Sequence, residues 1–92
     1  MEYGAMFQEI LAQKNPQELA RLKSEGKLPE TLADVEALYG EQEAEMVFQM
    51  CEEIKKQNLS EQEKIGRMNM AAITAREITA HDLHEFTQNL NK

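Results

Sequence analysis

The chain has 92 residues, 41% hydrophobic and 29% charged, with two Tyr, three Phe, no Trp, one Cys and a formal net charge of −7. That size and balance describe one helical domain, 1–92, with a thin core, and argue against intrinsic disorder. No apolar run approaches the roughly 20 residues of a membrane span, MEYGAMFQEI does not read as a signal peptide, and a lone Cys51 forms no internal disulfide, so no membrane role is expected and the expected setting is reducing and cytoplasmic.

Residues 3–14 place Met6, Phe7, Ile10 and Leu11 at spacings of three and four, which predicts a short amphipathic helix. Asn15-Pro16-Gln17-Glu18 then reads as a helix start: Asn15 as cap, Pro16 at the first helical position, Glu18 reaching back. Leu19 and Leu22 form the apolar side of this second helix, and Gly26 fits a left-handed terminating position. Leu28 precedes Pro29 and is biased towards extended backbone.

From Pro29 to Gln57 the sequence predicts one long helix, about 40 Å at 1.5 Å per residue. Leu32, Val35, Tyr39, Met46, Val47, Met50 and Ile54 line one side, and Glu30, Asp34, Glu36, Glu41, Glu43, Glu45, Glu52 and Glu53 the other. Gly40 weakens it by about 1 kcal/mol relative to Ala, and a kink or break is expected to show there if anywhere. Ser60 with Glu63 forms a second capping box. The helix after it presents Ile65, Met68, Ala72 and Ala75 as a stripe, flanked by Ile73 and Ile78. Thr79 and Asp82 give a weaker start signal, so the segment with Leu83, Phe86 and Leu90 either bends off or runs straight on.

Charge is concentrated in the long element. Residues 30–63 hold ten acids and two bases, net −8. An acidic face repels phosphate backbones, so direct nucleic-acid binding through it is not expected. As one helix these residues would span about 51 Å, roughly one net charge per 6 Å, several-fold sparser than a DNA duplex at about 1.7 Å.

The chemically suggestive residues have ordinary readings. Glu77, His81 and His84 share a helix face with zinc-ligand chemistry, yet a fourth ligand is not evident, and no metal or other cofactor is expected. Cys51 sits among Val47, Met50 and Ile54 and reads as a buried, inert thiol. Paired acids such as Glu52-Glu53 have no apolar shell to raise a carboxyl pKa. No phosphate loop or nucleophile elbow is present. No catalytic residue is assigned.

Two segments resemble a known family. Ser24-Glu25-Gly26-Lys27-Leu28 followed by Leu32-Ala33-Asp34-Val35-Glu36, and later Gly66-Arg67-Met68-Asn69 followed by Ala75-Arg76-Glu77-Ile78, are similar to the paired motifs of the transposon-encoded TnpV-like proteins. Val47-Phe48-Gln49-Met50 lies between them, where those proteins also have an apolar helix with a Gln-Met pair. The likeness spans about 16–80, with Glu25 inserted in the first motif. It implies a small accessory protein of mobile elements, without assigned chemistry.

The expectation is therefore an all-α bundle of four or five helices organised around one long central helix. The leading function is a non-enzymatic helical protein of a mobile element or phage, acting on a protein partner, with Glu41, Glu43, Glu45, Met46 and Met50 as the contact residues. The alternative is an acidic inhibitor filling the nucleic-acid groove of a host defence enzyme, in the manner of an anti-CRISPR nucleic-acid mimic. A homodimer is expected through Leu32, Val35, Tyr39 and Ile54, because the flanking helices look too short to cover the long stripe.

Overall fold

The computed structural model describes residues 2–90. Four helices follow one another: α1 (Glu2–Lys14), α2 (Pro16–Ser24), α3 (Leu28–Lys55) and α4 (Glu61–Gln88). No strand occurs among the described residues. The all-α bundle agrees with the sequence reading, but its organisation differs in one respect. There are two long helices of 28 residues each, not one central helix. They pack against each other as an antiparallel hairpin, and α1 lies along both.

Local chemistry explains the boundaries. Gly26 has φ 69°, the left-handed position that glycine occupies without strain. It closes a Schellman arrangement, with the Gly26 N–H donating to Lys23 O at 3.2 Å and the Lys27 N–H to Leu22 O at 2.9 Å. Leu28 is already helical, so α3 opens one residue earlier than the proline suggests. At the start of α4 the Ser60 Oγ accepts the Glu63 N–H at 3.2 Å. α3 runs through Gly40 unbroken, and α4 runs straight through Thr79 and Asp82. Packing along the hairpin outweighs the roughly 1 kcal/mol that Gly40 costs.

The core lies at one end of the hairpin, called the base here. Tyr3, Phe7, Ile10 and Leu11 of α1 are buried against Leu22, Val35, Tyr39 and Leu83. The buried face of α4 is Ala71, Ala75, Thr79, Leu83 and Thr87, every fourth residue. This corrects the expected α4 stripe: Ile65 and Ala72 are exposed, and Ala75 alone of that set is buried. Small side chains on this face let α3, and α1 where it reaches, pack closely against α4. The two threonines bury their hydroxyls by donating to Ala75 O at 2.8 Å and Leu83 O at 2.7 Å on their own helix.

Asn15 does not cap α2 with its side chain. Its Nδ2 donates instead to Thr87 O at 3.3 Å and Leu90 O at 3.0 Å. It thereby adds a donor to carbonyls at and just past the end of α4 and ties the α1–α2 junction to the base.

Candidate protein-docking surface

α1 fixes which half of the hairpin is covered. Its N-terminal amides are held by α3: Glu36 Oε1 accepts the Tyr3 N–H at 2.9 Å and the Gly4 N–H at 3.2 Å. The Tyr3 hydroxyl donates to Glu43. Glu2 pairs with Arg76 on α4. At 13 residues α1 is about 20 Å long, whereas α3 and α4 are each about 42 Å. The hairpin beyond Glu43 and Arg76 therefore projects as a two-helix tip, and the molecule measures 55 × 20 × 17 Å.

Helical periodicity carries the α1-facing side into the tip. Val47 and Met50 follow Glu43 by four and seven residues, and Ala72 and Ile65 precede Arg76 by four and eleven. These positions continue the groove in which α1 lies. Phe48 lies about 140° around α3 from Glu43 and Met70 about 120° around α4 from Arg76, off that groove, and Phe48, Ile65, Met70 and Ile73 are 64%, 58%, 60% and 51% exposed. Met46, Val47, Met50, Cys51 and Met68 are half-buried. Val47, Met50, Ile65 and Ala72 leave apolar surface along the groove beyond α1, and apolar surface left uncovered marks interaction sites.

The residues singled out from sequence fall into separate groups. Met46 and Met50 are at the tip. Glu41 and Glu45 are exposed, but Glu43 is engaged by Tyr3 and turned towards α1. So Glu41, Glu43 and Glu45 do not form one outward acidic row. Val35, Tyr39 and Ile54 are buried inside the chain itself, and Leu32 packs on the core. Val35, Tyr39 and Ile54 are 8% exposed each, whereas Leu32 keeps part of its surface. Sequence reading missed Phe48, Ile65 and Ile73 as the exposed apolar set. The signal was there: residues 46–51 and 68–75 contain no Asp, Glu, Lys or Arg in a chain that is 29% charged.

Polar groups elsewhere are mostly occupied. Glu18 is buried and paired with Arg21, which also reaches Glu25 at 3.1 Å. Lys27 and Arg21 hold the Glu25 carboxyl below its ordinary pKa. Burial, then the bond to Glu43, pushes the Tyr3 phenol above its usual value, and burial followed by the Asp82 charge does the same for Tyr39. A cleft of about 300 Å³ at the base is walled by Phe7, Leu22, Val35, Phe86 and Leu90, with Glu18 and Arg21 at its mouth. His81 is exposed and His84 half-buried. Among the described residues no three His, Cys, Asp or Glu converge to hold a metal ion. No helix among them is long and apolar enough to cross a membrane.

No protein-family model, curated protein or solved structure matches this chain. The docking surface is argued from its own residues.

Proposed function

We propose that the chain works without catalysis, as a helical module that docks protein surfaces, itself included, through the uncovered tip of the α3–α4 hairpin. The observation that carries this reading is the set of apolar side chains in the tip, Val47, Met50 and Ile65 among them, that α1 is too short to cover. A hairpin already helical and braced at its base offers these side chains at a lower ordering cost than an unfolded segment would. The three methionines Met46, Met50 and Met68 give it side chains that adapt to a partner's shape. The TnpV-like resemblance adds the setting: an accessory protein of a mobile element, acting in the cytoplasm.

A nucleic-acid mimic is the second reading, supported by the exposed acids Glu41, Glu45 and Glu53. It is the weaker of the two. Glu36 and Glu43 are bound to α1, which thins the free carboxylates further.

The test is capture of partners from a lysate of the source cells on immobilised protein. Ile65→Glu should lose the captured protein at any salt concentration. Glu41→Lys with Glu45→Lys should retain it. Capture that survives Ile65→Glu, yet falls steeply with salt and disappears in the double reversal, would favour mimicry instead.

A further inference from the structure

We infer that the cleft at the base is a binding site for a small organic ammonium ion, its aromatic or branched alkyl body inside the cleft and its charge at the rim. The site lies at the other end of the hairpin from the tip and is independent of the docking reading.

The walls call for an apolar body. The cleft opens between α2, α3 and the end of α4, over Phe7 of α1. Phe7, Leu22 and Val35 belong to the core, so packing fixes these walls in place. Phe86 is different. Its ring is held by Tyr39, with centroids 6.3 Å apart, yet it is 47% exposed. A ring or branched chain in the cleft would cover this open side and remove apolar surface from water on both partners. A cation within about 6 Å of the Phe86 ring is attracted by the ring's quadrupole as well.

Charge selects the sign. Arg21 and Lys27 line the cleft, but both are committed. Arg21 pairs with the buried Glu18 and with Glu25 at 3.1 Å, and Lys27 pairs with Glu25 at 3.2 Å. Asp34 lines the same cleft, is exposed, and pairs with no cation among the described residues. Asp82 stands four residues before Phe86, on the same side of α4. It accepts a hydrogen bond from Gln42 Nε2 at 2.9 Å and pairs with no cation there either. Carboxylates thus outnumber cations around the opening, in a chain of net −7. That surplus favours a cationic ligand. An anion would have to take Arg21 from two carboxylates.

Size limits the body. A volume of about 300 Å³ is at the small end for ligand pockets. At the roughly 30 Å³ that a water molecule occupies in the liquid, it holds about ten non-hydrogen atoms. A phenyl ring with a short ammonium arm has that size. The larger recess on the other side of α2, about 480 Å³, suits such a ligand less well. Its apolar lining is Pro16 and Leu90, with no aromatic wall, and Lys14 at its edge repels a cation.

The experiment is an NMR titration of amide shifts in the full chain with 2-phenylethylammonium. 2-Phenylethanol and phenylacetate serve as neutral and anionic probes with the same ring. The ammonium should give saturable shifts centred on residues 31–35 and 86–90, and bind severalfold tighter than the alcohol, with phenylacetate weakest. Asp34→Asn should weaken the ammonium about two- to fivefold, as loss of one exposed ion pair does, and leave the alcohol unchanged. Asp34 is exposed, so the fold should hold. Glu45→Gln removes the same charge about 16 Å further along α3 and should bind like the wild type. Absence of saturable shifts overturns the inference, as do shifts centred elsewhere, equal binding of the three probes, or a preference for phenylacetate. An ammonium preference that Asp34→Asn leaves intact overturns it too. Ile65→Glu should bind the ammonium like the wild type, so this site and the docking reading stand or fall separately.

Discussion

The Glu36 carboxylate sits over the first turn of α1 and accepts the Tyr3 N–H at 2.9 Å. It is an N-terminal cap supplied by another helix. α1 has no residue of its own doing this work at the described positions, and its free amides carry the positive end of a helix dipole. One side chain of α3 thus positions the helix that decides which half of the hairpin is covered.

Removing that carboxylate should loosen α1. Glu36→Ala leaves the Tyr3 and Gly4 amides, both on buried residues, without this acceptor. The expected loss is about 1–2 kcal/mol. Glu36→Gln keeps an acceptor and loses the charge, so it should cost less. Urea denaturation followed by circular dichroism ranks the three proteins. Equal midpoints for Glu36→Ala and wild type would remove the cap from the account.

Tyr3 gives stability a pH dependence with a definite sign. Its phenol is pushed up by burial and then by the bond to Glu43. In the unfolded chain it ionises near about 10. The folded state therefore holds more protons above that value, and stability falls as pH rises through it, by up to about 1.4 kcal/mol per unit. Below it the contribution is fully present. Tyr3→Phe should be about 1 kcal/mol less stable at neutral pH, through loss of the hydroxyl bond, and the gap should close under alkaline conditions. Denaturation midpoints on either side of the tyrosine titration check this. A gap independent of pH would show that Tyr3 ionises as freely folded as unfolded.

The glycines separate backbone need from tolerance. At Gly40 an added Cβ meets nothing closer than Glu36 Oε2 at 3.9 Å, and the backbone is helical. Gly40→Ala should stabilise by about 0.5–1 kcal/mol. At Gly26, φ is +69°. Gly26→Ala has room for its methyl, yet should destabilise by about 1 kcal/mol through backbone strain. Thermal melting of the two variants should shift in opposite directions.

Features set by neighbours in sequence were legible. Ser60 and Gly26 act through partners within a few positions, so their roles can be read from local spacing. Asn15 could not be read this way. The carbonyls it serves lie 72 and 75 positions along the chain. The α4 face was misread for a related reason. Hydropathy favours Ile65 over Ala71 and Thr79, but close helix packing on this face favours small residues. The same preference left Ile65 and Ile73 facing outwards. The acids of α3 looked like one solvated face until α1 was placed, and then Glu36 and Glu43 became its anchors. The candidate surface was visible in part, since the uncharged runs could be read directly. That α1 is too short to cover them could not, because its docking position depends on those distant contacts.

Stability should also be uneven along the hairpin. The core cluster joins α1, α2, Val35, Tyr39 and Leu83 at the base. In the tip the buried hydrophobic side chains are Ile54, Ala71 and Ala75, two of them alanines that bury little area. With fewer apolar contacts, tip amides should open through local fluctuations of lower free energy than the base. Hydrogen exchange followed by NMR in dilute protein should show weaker protection over 46–54 and 66–74 than over 32–40 and 79–86. Uniform protection along α3 and α4 would contradict the uneven core.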